Sequence, residues 1–166
     1  PDFDFETRIV SATIDDVSIA SVYVPNGGKD FAAKLRFLEA LIAHAGECAR
    51  GGRRLMLCGD MNVAHKDIDV HEKERKPSAI GQLPEERAIF DRLLGAGLVD
   101  VGRTLDPDNG EMFTWWPPWR NMRQRNIGWR IDYILASPEV AAKAVSCPSY
   151  REVGTSDHGP VVVTLS

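Results

Sequence analysis

Residues 55–62 read Leu-Met-Leu-Cys-Gly-Asp-Met-Asn, so four apolar residues are followed directly by glycine, aspartate and asparagine. A short apolar run of this kind predicts a buried strand that ends at a polar site. Because side chains alternate along a strand, Asp60 and Asn62 are expected to point the same way. A carboxylate beside an amide can orient a water molecule and stabilise developing negative charge, as phosphodiester hydrolysis requires. The alternative is an ordinary turn, since Gly, Asp and Asn are all common turn residues.

The composition suits a soluble protein of one domain. The chain has 166 residues, of which 43% are hydrophobic, so it can bury a core and general disorder is excluded. No apolar run approaches the roughly 20 residues that span a membrane. The three cysteines, Cys48, Cys58 and Cys147, fit neither a disulfide framework nor a cysteine-based zinc site. We therefore expect a cytoplasmic protein in a reducing compartment.

The distribution of charge is more informative than the total. A formal net charge of −4 argues mildly against a nucleic-acid partner, because phosphates are bound mainly by lysine and arginine. One segment, 119–130, has no acidic residue and contains Trp119, Arg120, Arg123, Arg125, Trp129 and Arg130. A basic patch interleaved with aromatic residues is typical of a surface that binds a polyanion.

Hydrophobic periodicity predicts an α/β protein. Two β-prone runs at 8–13 and 17–24 are expected to form a hairpin, and further strands are expected at 98–101, 130–135 and 161–165. Helices are predicted from Asp30 to about Arg50 and from Pro84 to Gly95. The residues expected on the buried side of the first helix are Phe31, Leu35, Leu38, Ile42 and Ala45.

Two other segments carry predictions of their own. The run 65–82 is polar, with charges of both signs, and is expected to be a surface loop. Residues 113–119 contain four aromatic side chains interrupted by prolines, which argues against a regular strand and places some of the rings on an exposed loop. No repeat or linker divides the chain, so residues 1–166 are predicted to form a single domain.

Five polar clusters lie at predicted strand ends, where loops of an α/β sandwich can converge on one cleft. They are Tyr23 with Asn26, Asp60 with Asn62, Asn126, Asp132, and Asp157 with His158. Carboxylates, an imidazole and amides, with no nucleophilic serine or cysteine motif, favour metal-assisted attack by water. Oxygen ligands favour magnesium or manganese over zinc.

Each cluster also has a purely structural interpretation. Tyr23 could close the core above an Asn-Gly turn, and Asp157 with His158 could form a turn with a surface histidine. Asp132, an isolated acid among apolar neighbours, could be a buried carboxylate paired with an arginine.

Four motifs in register carry a family resemblance. They are Tyr23-Val-Pro-Asn26-Gly, Gly59-Asp60-Met-Asn62-Val-Ala, Arg125-Asn126-Ile-Gly-Trp129-Arg-Ile-Asp132-Tyr and Ser156-Asp157-His158-Gly-Pro. In this order and spacing they closely resemble the exonuclease III branch of the apurinic/apyrimidinic endonuclease family, within the wider endonuclease/exonuclease/phosphatase superfamily. The resemblance covers essentially the whole chain and implies a four-layer α/β sandwich with mixed, mainly antiparallel sheets.

The resemblance also implies catalytic roles. Asp60 would orient or deprotonate the attacking water, and Asn62 would hydrogen-bond the scissile phosphate. His158 would contact the phosphate or act as the base, with Asp132 fixing its orientation, and the choice of base between Asp60 and His158 stays open. Asp157, together with Asp60, would bind Mg²⁺ or Mn²⁺.

The remaining residues implied by the resemblance would hold the substrate, double-stranded DNA with abasic sites or 3′ ends. Tyr23 and Asn26 would position the phosphate, and Asn126 and Arg125 would line the site. Two further residues, Trp115 and Trp129, would wall a pocket for a base-less sugar.

Two departures from the family pattern stand out. The family's N-terminal half-sandwich, with the Gln-Glu motif that supplies a central metal ligand, has no counterpart here, so about an N-terminal third of the enzyme is expected to be missing. The loop 69–81 lacks the asparagines with which some relatives grip DNA, and Lys73, Arg75 and Lys76 are alternatives for phosphate contact.

The sequence therefore predicts a magnesium-dependent DNA-repair phosphodiesterase that incises 5′ to abasic sites and removes 3′-terminal nucleotides. One alternative is a related phosphodiesterase acting on a non-DNA substrate such as a phosphoinositide or sphingomyelin. Another is an incomplete half-domain that only binds DNA, or that pairs through an exposed sheet edge with a second copy or with the missing segment.

Overall fold

The computed structural model describes residues 1–4 and 6–166. The strands are β1 (Ile9–Ile14), β2 (Val17–Tyr23), β3 (Arg54–Asp60), β4 (Val99–Asp100), β5 (Asp132–Ala136), β6 (Ala144–Ser146) and β7 (Thr164–Leu165). The helices are α1 (Phe31–Arg50), α2 (Pro84–Gly95), α3 (Val101–Leu105) and α4 (Pro138–Ala141). The predicted hairpin and both long helices are confirmed.

A five-stranded sheet organises the described residues. Its strand order is β1-β2-β3-β5-β4, and β6 pairs with β7 in a separate two-stranded sheet. Only β2 and β3 are parallel, because α1 connects them, and the other neighbouring pairs are antiparallel. The prediction of a mixed, mainly antiparallel α/β architecture is therefore confirmed.

Apolar side chains cover both faces of the large sheet. On one face, α1 and α2 pack over β2, β3 and β5 around Leu57, Phe90 and Leu135, which are all fully buried. On the other face, Met56 and Ile134 contact Val101 and Val140 of the two short helices. Burial from both sides explains why the run that begins at Leu55 is continuously apolar.

The buried side of α1 differs from the prediction. Asp30 caps the helix as expected, accepting a hydrogen bond from Ala33 N at 2.8 Å. The buried residues are Lys34, Leu38, Leu41, Ala45 and Cys48, whereas Phe31, Leu35 and Ile42 are only partly buried. The prediction was right for Leu38 and Ala45 and otherwise wrong, because it considered only apolar residues, and Lys34 has a buried ionic partner.

The prediction that residues 65–82 form a surface loop is confirmed for most of the segment, including the exposed residues 75–78, but not at every position. His65, Asp69, Val70 and Gln82 are buried, and two short 3-10 turns span Asp67–Asp69 and Glu72–Glu74. The polar side chains are buried because they have partners. Asp69 binds two arginines, and Gln82 donates to Glu74 O and accepts from Lys76 N.

The last predicted strand is shorter than expected, since β7 contains only two residues and Val161 forms an isolated bridge with Ser149. The segment still runs beside residues 148–150, with Tyr150 N donating to Pro160 O at 2.8 Å. Prolines at 148 and 160 lack the N–H that a regular ladder needs. Among the described residues, no helix combines the length and apolar character needed to cross a bilayer.

Candidate active site

Strand register brings three of the predicted residues into one row. Tyr23 at the end of β2 is the Cα partner of Asp60 at the end of β3, and Asp60 is the Cα partner of Asp132 at the start of β5. The residue before Asp60 must be glycine, because a Cβ on Gly59 would lie 2.3 Å from the carbonyl oxygen of Val22, and its φ is +127°. Asp60 therefore sits at the centre of the row.

Asp60 and Asn62 form the predicted contact, but a turn rather than strand alternation produces it. Asn62 lies beyond β3 with a left-handed φ of 51°. Its backbone N donates to Asp60 Oδ1 at 2.8 Å, and its side-chain Nδ2 donates to Asp60 Oδ2 at 2.9 Å. The sequence left open whether residues 59–62 form a polar site or an ordinary turn, and in the structure the turn itself forms the polar site.

The amide of Asn62 is fully engaged within the protein. Besides Asp60, its Nδ2 donates to Val24 O at 2.8 Å, so both of its N–H groups are used. Asn26 Nδ2 donates to Asn62 Oδ1 at 3.0 Å and has a second N–H to offer. In this arrangement Asn62 orients the Asp60 carboxylate, and Asn26 holds the amide proton that is available to an anion.

Asp132 and His158 form the second half of the site. Nδ1 of His158 lies 2.9 Å from Asp132 Oδ2, which also accepts a hydrogen bond from Thr114 Oγ1 at 2.7 Å. The alternative pairing of Asp132 with an arginine was wrong, because Arg130 binds Asp69 and Asp100 instead. The Asp132 contact leaves Nε2 of the imidazole as the nitrogen that can face a ligand.

The two halves are coupled electrostatically. Burial, and after it the negative charge of Asp132, raises the pKa of the Asp60 carboxyl to about 7. Burial acts to lower the pKa of His158, but the hydrogen bond and the charge of Asp132 outweigh it and raise that pKa above its usual value. Near neutral pH, Asp60 can therefore exchange a proton while His158 gains cationic character.

Arg123 holds the loop that carries His158. Its guanidinium donates to the carbonyl oxygens of Arg151 at 2.6 Å, Val153 at 2.7 Å and His158 at 3.3 Å, and also to that of Ser156. Its charge also lies over the ring of Trp116, 5.1 Å from the centroid. Arg123, expected in a polyanion-binding patch, is instead committed to the architecture of the site.

Two tryptophans stand beside the histidine. Trp115 and Trp129 are both half-buried and meet edge to face, with ring centroids 5.4 Å apart. Trp115 Nε1 donates to Asp157 Oδ2 at 2.9 Å, which joins this pair to the His158 loop. Residue 128 is glycine, which lets its backbone approach that of Trp115, since a Cβ there would lie 2.4 Å from Trp115 O.

The other rings of the aromatic segment divide as predicted between core and surface. Phe113 and Trp116 are buried, while Trp119 is 56% exposed.

Three predicted residues lie apart from the hydrogen-bonded cluster. Tyr23 is exposed, with the guanidinium of Arg8 located 5.2 Å from its ring centroid. Asn126 is used within its own loop, accepting from Trp116 Nε1 at 3.1 Å and donating to Glu111 O at 3.2 Å. Arg125 is exposed and makes a long contact with Arg120 O at 3.5 Å, so it is free to meet a ligand.

The expected metal site is only partly represented. Asp157 is exposed, and although burial acts to raise its pKa, the hydrogen bond from Trp115 lowers it, so the carboxylate is ionised at neutral pH. Its oxygen chemistry suits Mg²⁺ or Mn²⁺. Across residues 1–4 and 6–166, however, no three His, Cys, Asp or Glu side chains come together as possible metal ligands. Asp157 and Asp60 are the residues that would contribute carboxylate oxygens to the metal.

Sequence comparison with protein families agrees with this geometry. The model of the Endonuclease/Exonuclease/phosphatase family matches residues 2–158. The chain belongs to this family. The predicted family resemblance is thereby confirmed, and members of the family generally depend on divalent metals.

Curated members of the Endonuclease/Exonuclease/phosphatase family are similar over nearly the whole chain. An exodeoxyribonuclease of Bacillus subtilis is 32% identical over 98% of this chain and 66% of its own length. The DNA repair nuclease APEX1 of Danio rerio is 33% identical over 98% of this chain and 53% of its own length. The chain thus spans about half to two thirds of the length of these relatives.

Solved structures of related proteins confirm the fold. The 3′ phosphatase NExo from Neisseria, bound to a product DNA hairpin, has a TM-score of 0.90 at 31% identity, covering 99% of this chain and 67% of that one. An AP endonuclease from Archaeoglobus fulgidus has a TM-score of 0.86 at 29% identity, covering 95% of this chain and 65% of that one.

Sequence reasoning missed four residues around the site: Thr114, Arg123 in its structural role, Lys34 and Glu86. One signal was present, because Lys34 lies on the same helical face as Leu38 and Leu41, where a charged residue requires a partner. Nothing in the sequence showed that Thr114 would reach Asp132, since the two meet only through the pairing of distant loops.

Proposed function

We propose that this chain is the nuclease portion of a DNA-repair phosphodiesterase that cleaves the backbone 5′ to abasic sites and removes 3′-terminal nucleotides. The observation that carries the proposal is the cluster formed by the side chains of Asp60, Asp132 and His158. A carboxylate with a pKa near 7 lies beside an imidazole held by a second carboxylate. This set provides both a proton acceptor and a cationic hydrogen-bond donor for hydrolysis of a phosphodiester.

We infer that Asp60, rather than His158, is the general base. The pKa of Asp60, raised to about 7, matches it to abstract a proton from water near neutral pH. The pKa of His158 is raised as well, which favours the imidazolium, and an imidazolium Nε2 donates a hydrogen bond rather than accepting a proton. We assign His158 to a phosphate oxygen, with Asn26, which contacts Asn62, as a second donor.

DNA is the substrate that the surroundings of this site support. The edge-to-face pair of Trp115 and Trp129 offers an apolar corner beside Asp157, suited to a sugar that lacks its base. Arg125 and Arg120 are exposed on the adjoining loop and can neutralise backbone phosphates. The relatives named for DNA repair and the relative bound to a DNA hairpin support the same choice.

Magnesium or manganese is the cofactor that we propose, on the basis of the carboxylate oxygens and of the family's general metal dependence. Asp157 is the residue best placed to contribute a ligand, since it is ionised and accessible. The single-domain organisation, the cytoplasmic location and the completion of the fold by an N-terminal segment or a second copy all stay predictions.

The decisive experiment is cleavage of a duplex oligonucleotide containing one abasic site, with magnesium and then with a chelator. Incision 5′ to the site that the chelator abolishes is the expected result. Asp60→Asn should reduce the rate by about 10²- to 10⁴-fold, the range typical of a lost general base. The matched control is Asp16→Asn, which removes an exposed carboxylate paired with Arg54 at the other end of β3.

Two outcomes would contradict the proposal. Equal cleavage by wild type and Asp60→Asn would show that the activity does not use this site. Hydrolysis of phosphoinositide or sphingomyelin with no activity on the abasic duplex would instead assign the site to a lipid-derived substrate.

A further inference from the structure

A lysine is fully buried beneath the asparagines of the candidate active site. Lys34 on α1 has no exposed surface, and its Nζ donates to Asn62 O at 2.7 Å and to Asn26 O at 3.2 Å. Its third N–H is directed at Glu86 Oε1, on α2. All three donors of the ammonium are therefore used, two of them on the backbone of the residues that flank Asp60.

Glu86 extends these contacts to a different wall of the site. Its second oxygen, Oε2, accepts hydrogen bonds from Gly81 N at 2.6 Å and from Leu83 N at 3.1 Å. Gly81 lies against Trp129, since a Cβ on this glycine would come within 3.0 Å of the indole ring. One buried ion pair thus contacts both the asparagine pair and the segment that supports a tryptophan of the pocket.

The contact with Asn62 supports a left-handed turn. Asn62 has a φ of 51°, in a region that few non-glycine residues occupy and that asparagine tolerates better than most. In this conformation its backbone N–H and its side-chain amide both reach the carboxylate of Asp60. Lys34 holds the carbonyl at the end of this turn, so the lysine acts on the orientation of Asp60 through Asn62.

Stability alone does not account for a charged pair in this place. Replacing a buried ion pair with apolar residues is often neutral or stabilising, because two desolvated charges gain little overall. The same two helices are already joined at the surface, where Arg92 makes two hydrogen bonds of 2.5 and 2.7 Å to Glu39. The surface pair links α1 and α2 without any contact to the site.

We propose that Lys34 and Glu86 are positioning residues for the reaction. Lys34 fixes the Asn26–Asn62 pair and, through it, the carboxylate of Asp60, while Glu86 fixes Gly81 against Trp129. The proposal rests on the proposed nuclease function for its kinetic consequences, but its structural consequences can be measured without any activity.

The test uses a double variant in which no unpaired charge is left in the core. Lys34→Met combined with Glu86→Gln removes both charges, and we expect it to remain folded with a lower melting temperature than wild type, because the carbonyl oxygens of Asn26 and Asn62 lose a donor. On the abasic duplex, kcat should fall about 100-fold, the effect of a displacement of about 1 Å at a catalytic group, with little change in KM. The control is Glu39→Gln with Arg92→Met, which should leave kcat unchanged.

A second readout separates this proposal from the proposed function. The side-chain amide signals of Asn26 and Asn62 in a ¹⁵N-correlated NMR spectrum should shift in the double variant and stay fixed in the surface control. If wild type shows no nuclease activity, the proposed function fails and these signals alone decide the positioning role. Unchanged amide signals together with wild-type kcat in the double variant would overturn it.

The single variant Glu86→Gln tests the role of Glu86 in fixing Gly81 against Trp129. It also provides a test if the double variant does not fold. Glutamine can turn an N–H toward Gly81 and so disturbs the contact with the pocket wall. Without the charge of Glu86, burial lowers the pKa of Lys34 further, and the neutral amine keeps two N–H donors for Asn62 and Asn26. We expect KM to rise, kcat to change less, and the indole N–H signal of Trp129 to move. An unmoved indole signal with unchanged KM would remove Glu86 from the proposal.

Discussion

Arg130 is the central cation of a buried cluster that anchors the strand carrying Asp132. Its Nε donates to Asp69 Oδ1 at 2.7 Å, and its two terminal nitrogens donate to both oxygens of Asp100 at 2.9 and 2.6 Å. The three side chains are each less than a tenth exposed. Arg103 adds a further hydrogen bond of 2.7 Å to Asp69.

Arg130→Met keeps most of the apolar stem and removes the charge. Asp69 retains Arg103 and the N–H of Lys66, but Asp100 loses both of its guanidinium contacts. Breaking a buried pair in this way costs about 3–5 kcal/mol, because one carboxylate is left uncompensated. A domain of this size has a total free energy of unfolding of about 5–15 kcal/mol, so the variant should be folded but clearly weakened.

The measurement is equilibrium unfolding in urea, followed by tryptophan fluorescence, with the double variant Asp100→Asn, Arg130→Met as the control. Asparagine is neutral and still serves as the cap that Arg103 N uses, so about half of the lost free energy should return. A loss below about 1 kcal/mol in Arg130→Met, or no recovery in the double variant, would refute the assignment of this cluster as the anchor of β5.

The pH dependence of the free energy of unfolding in the acidic range provides an independent check, and its expected direction follows from the pKa of Asp69. Burial acts to raise the pKa of Asp69, but the charge of Arg130 outweighs it and lowers that pKa below its usual value. A lowered pKa contributes stability that is present above pH 3.8 and is lost as the pH falls through the folded-state value. Arg130→Met removes the main cause of the lowered pKa of Asp69. The difference in the free energy of unfolding between the variant and wild type should therefore become smaller below about pH 4.

Two further predictions concern the His158 loop. Asp132→Asn removes the charge that raises the pKa of His158, so the pKa of His158 should fall. An NMR titration of the imidazole in metal-free buffer would measure this pKa. An unchanged pKa would mean that the 2.9 Å contact with Asp132 does not control it. Arg123→Gln should speed tryptic cleavage after Arg151 at least about tenfold, because each hydrogen bond from a charged group contributes about 1.5–3 kcal/mol, whereas Arg125→Gln should behave as wild type. Equal cleavage of both variants would show that Arg123 does not hold the loop.

Local sequence signals predicted the elements that depend on neighbouring residues. The Asp30 cap and the glycines after residue 50 correctly bounded α1, and the alternating β-prone runs correctly gave the β1–β2 hairpin. These features form within a few residues of their signals, so the pattern is complete in the sequence itself. The polar clusters at strand ends were found for the same reason.

Predictions failed where a polar residue met a partner far along the chain. Lys34 was not predicted on the buried side of α1, and the buried residues of segment 65–82 were expected on the surface, because burial of a charge is favourable only when its partner is present. Glu86 lies 52 residues from Lys34, and Arg130 lies 61 residues from Asp69. No periodicity within one element can reveal pairings at such separations.

The sequence by itself determined the family, the α/β composition and the identity of the residues at the strand ends, because motifs such as Gly59-Asp60-Met-Asn62 are local and specific. Only the tertiary structure decided which of these residues act together. The register of β2, β3 and β5 sets Asp60 beside Asp132, and their proximity in a buried site raises the pKa of Asp60 to about 7. A pKa depends on the distance between charges and on their removal from water, and both quantities exist only once the chain has folded.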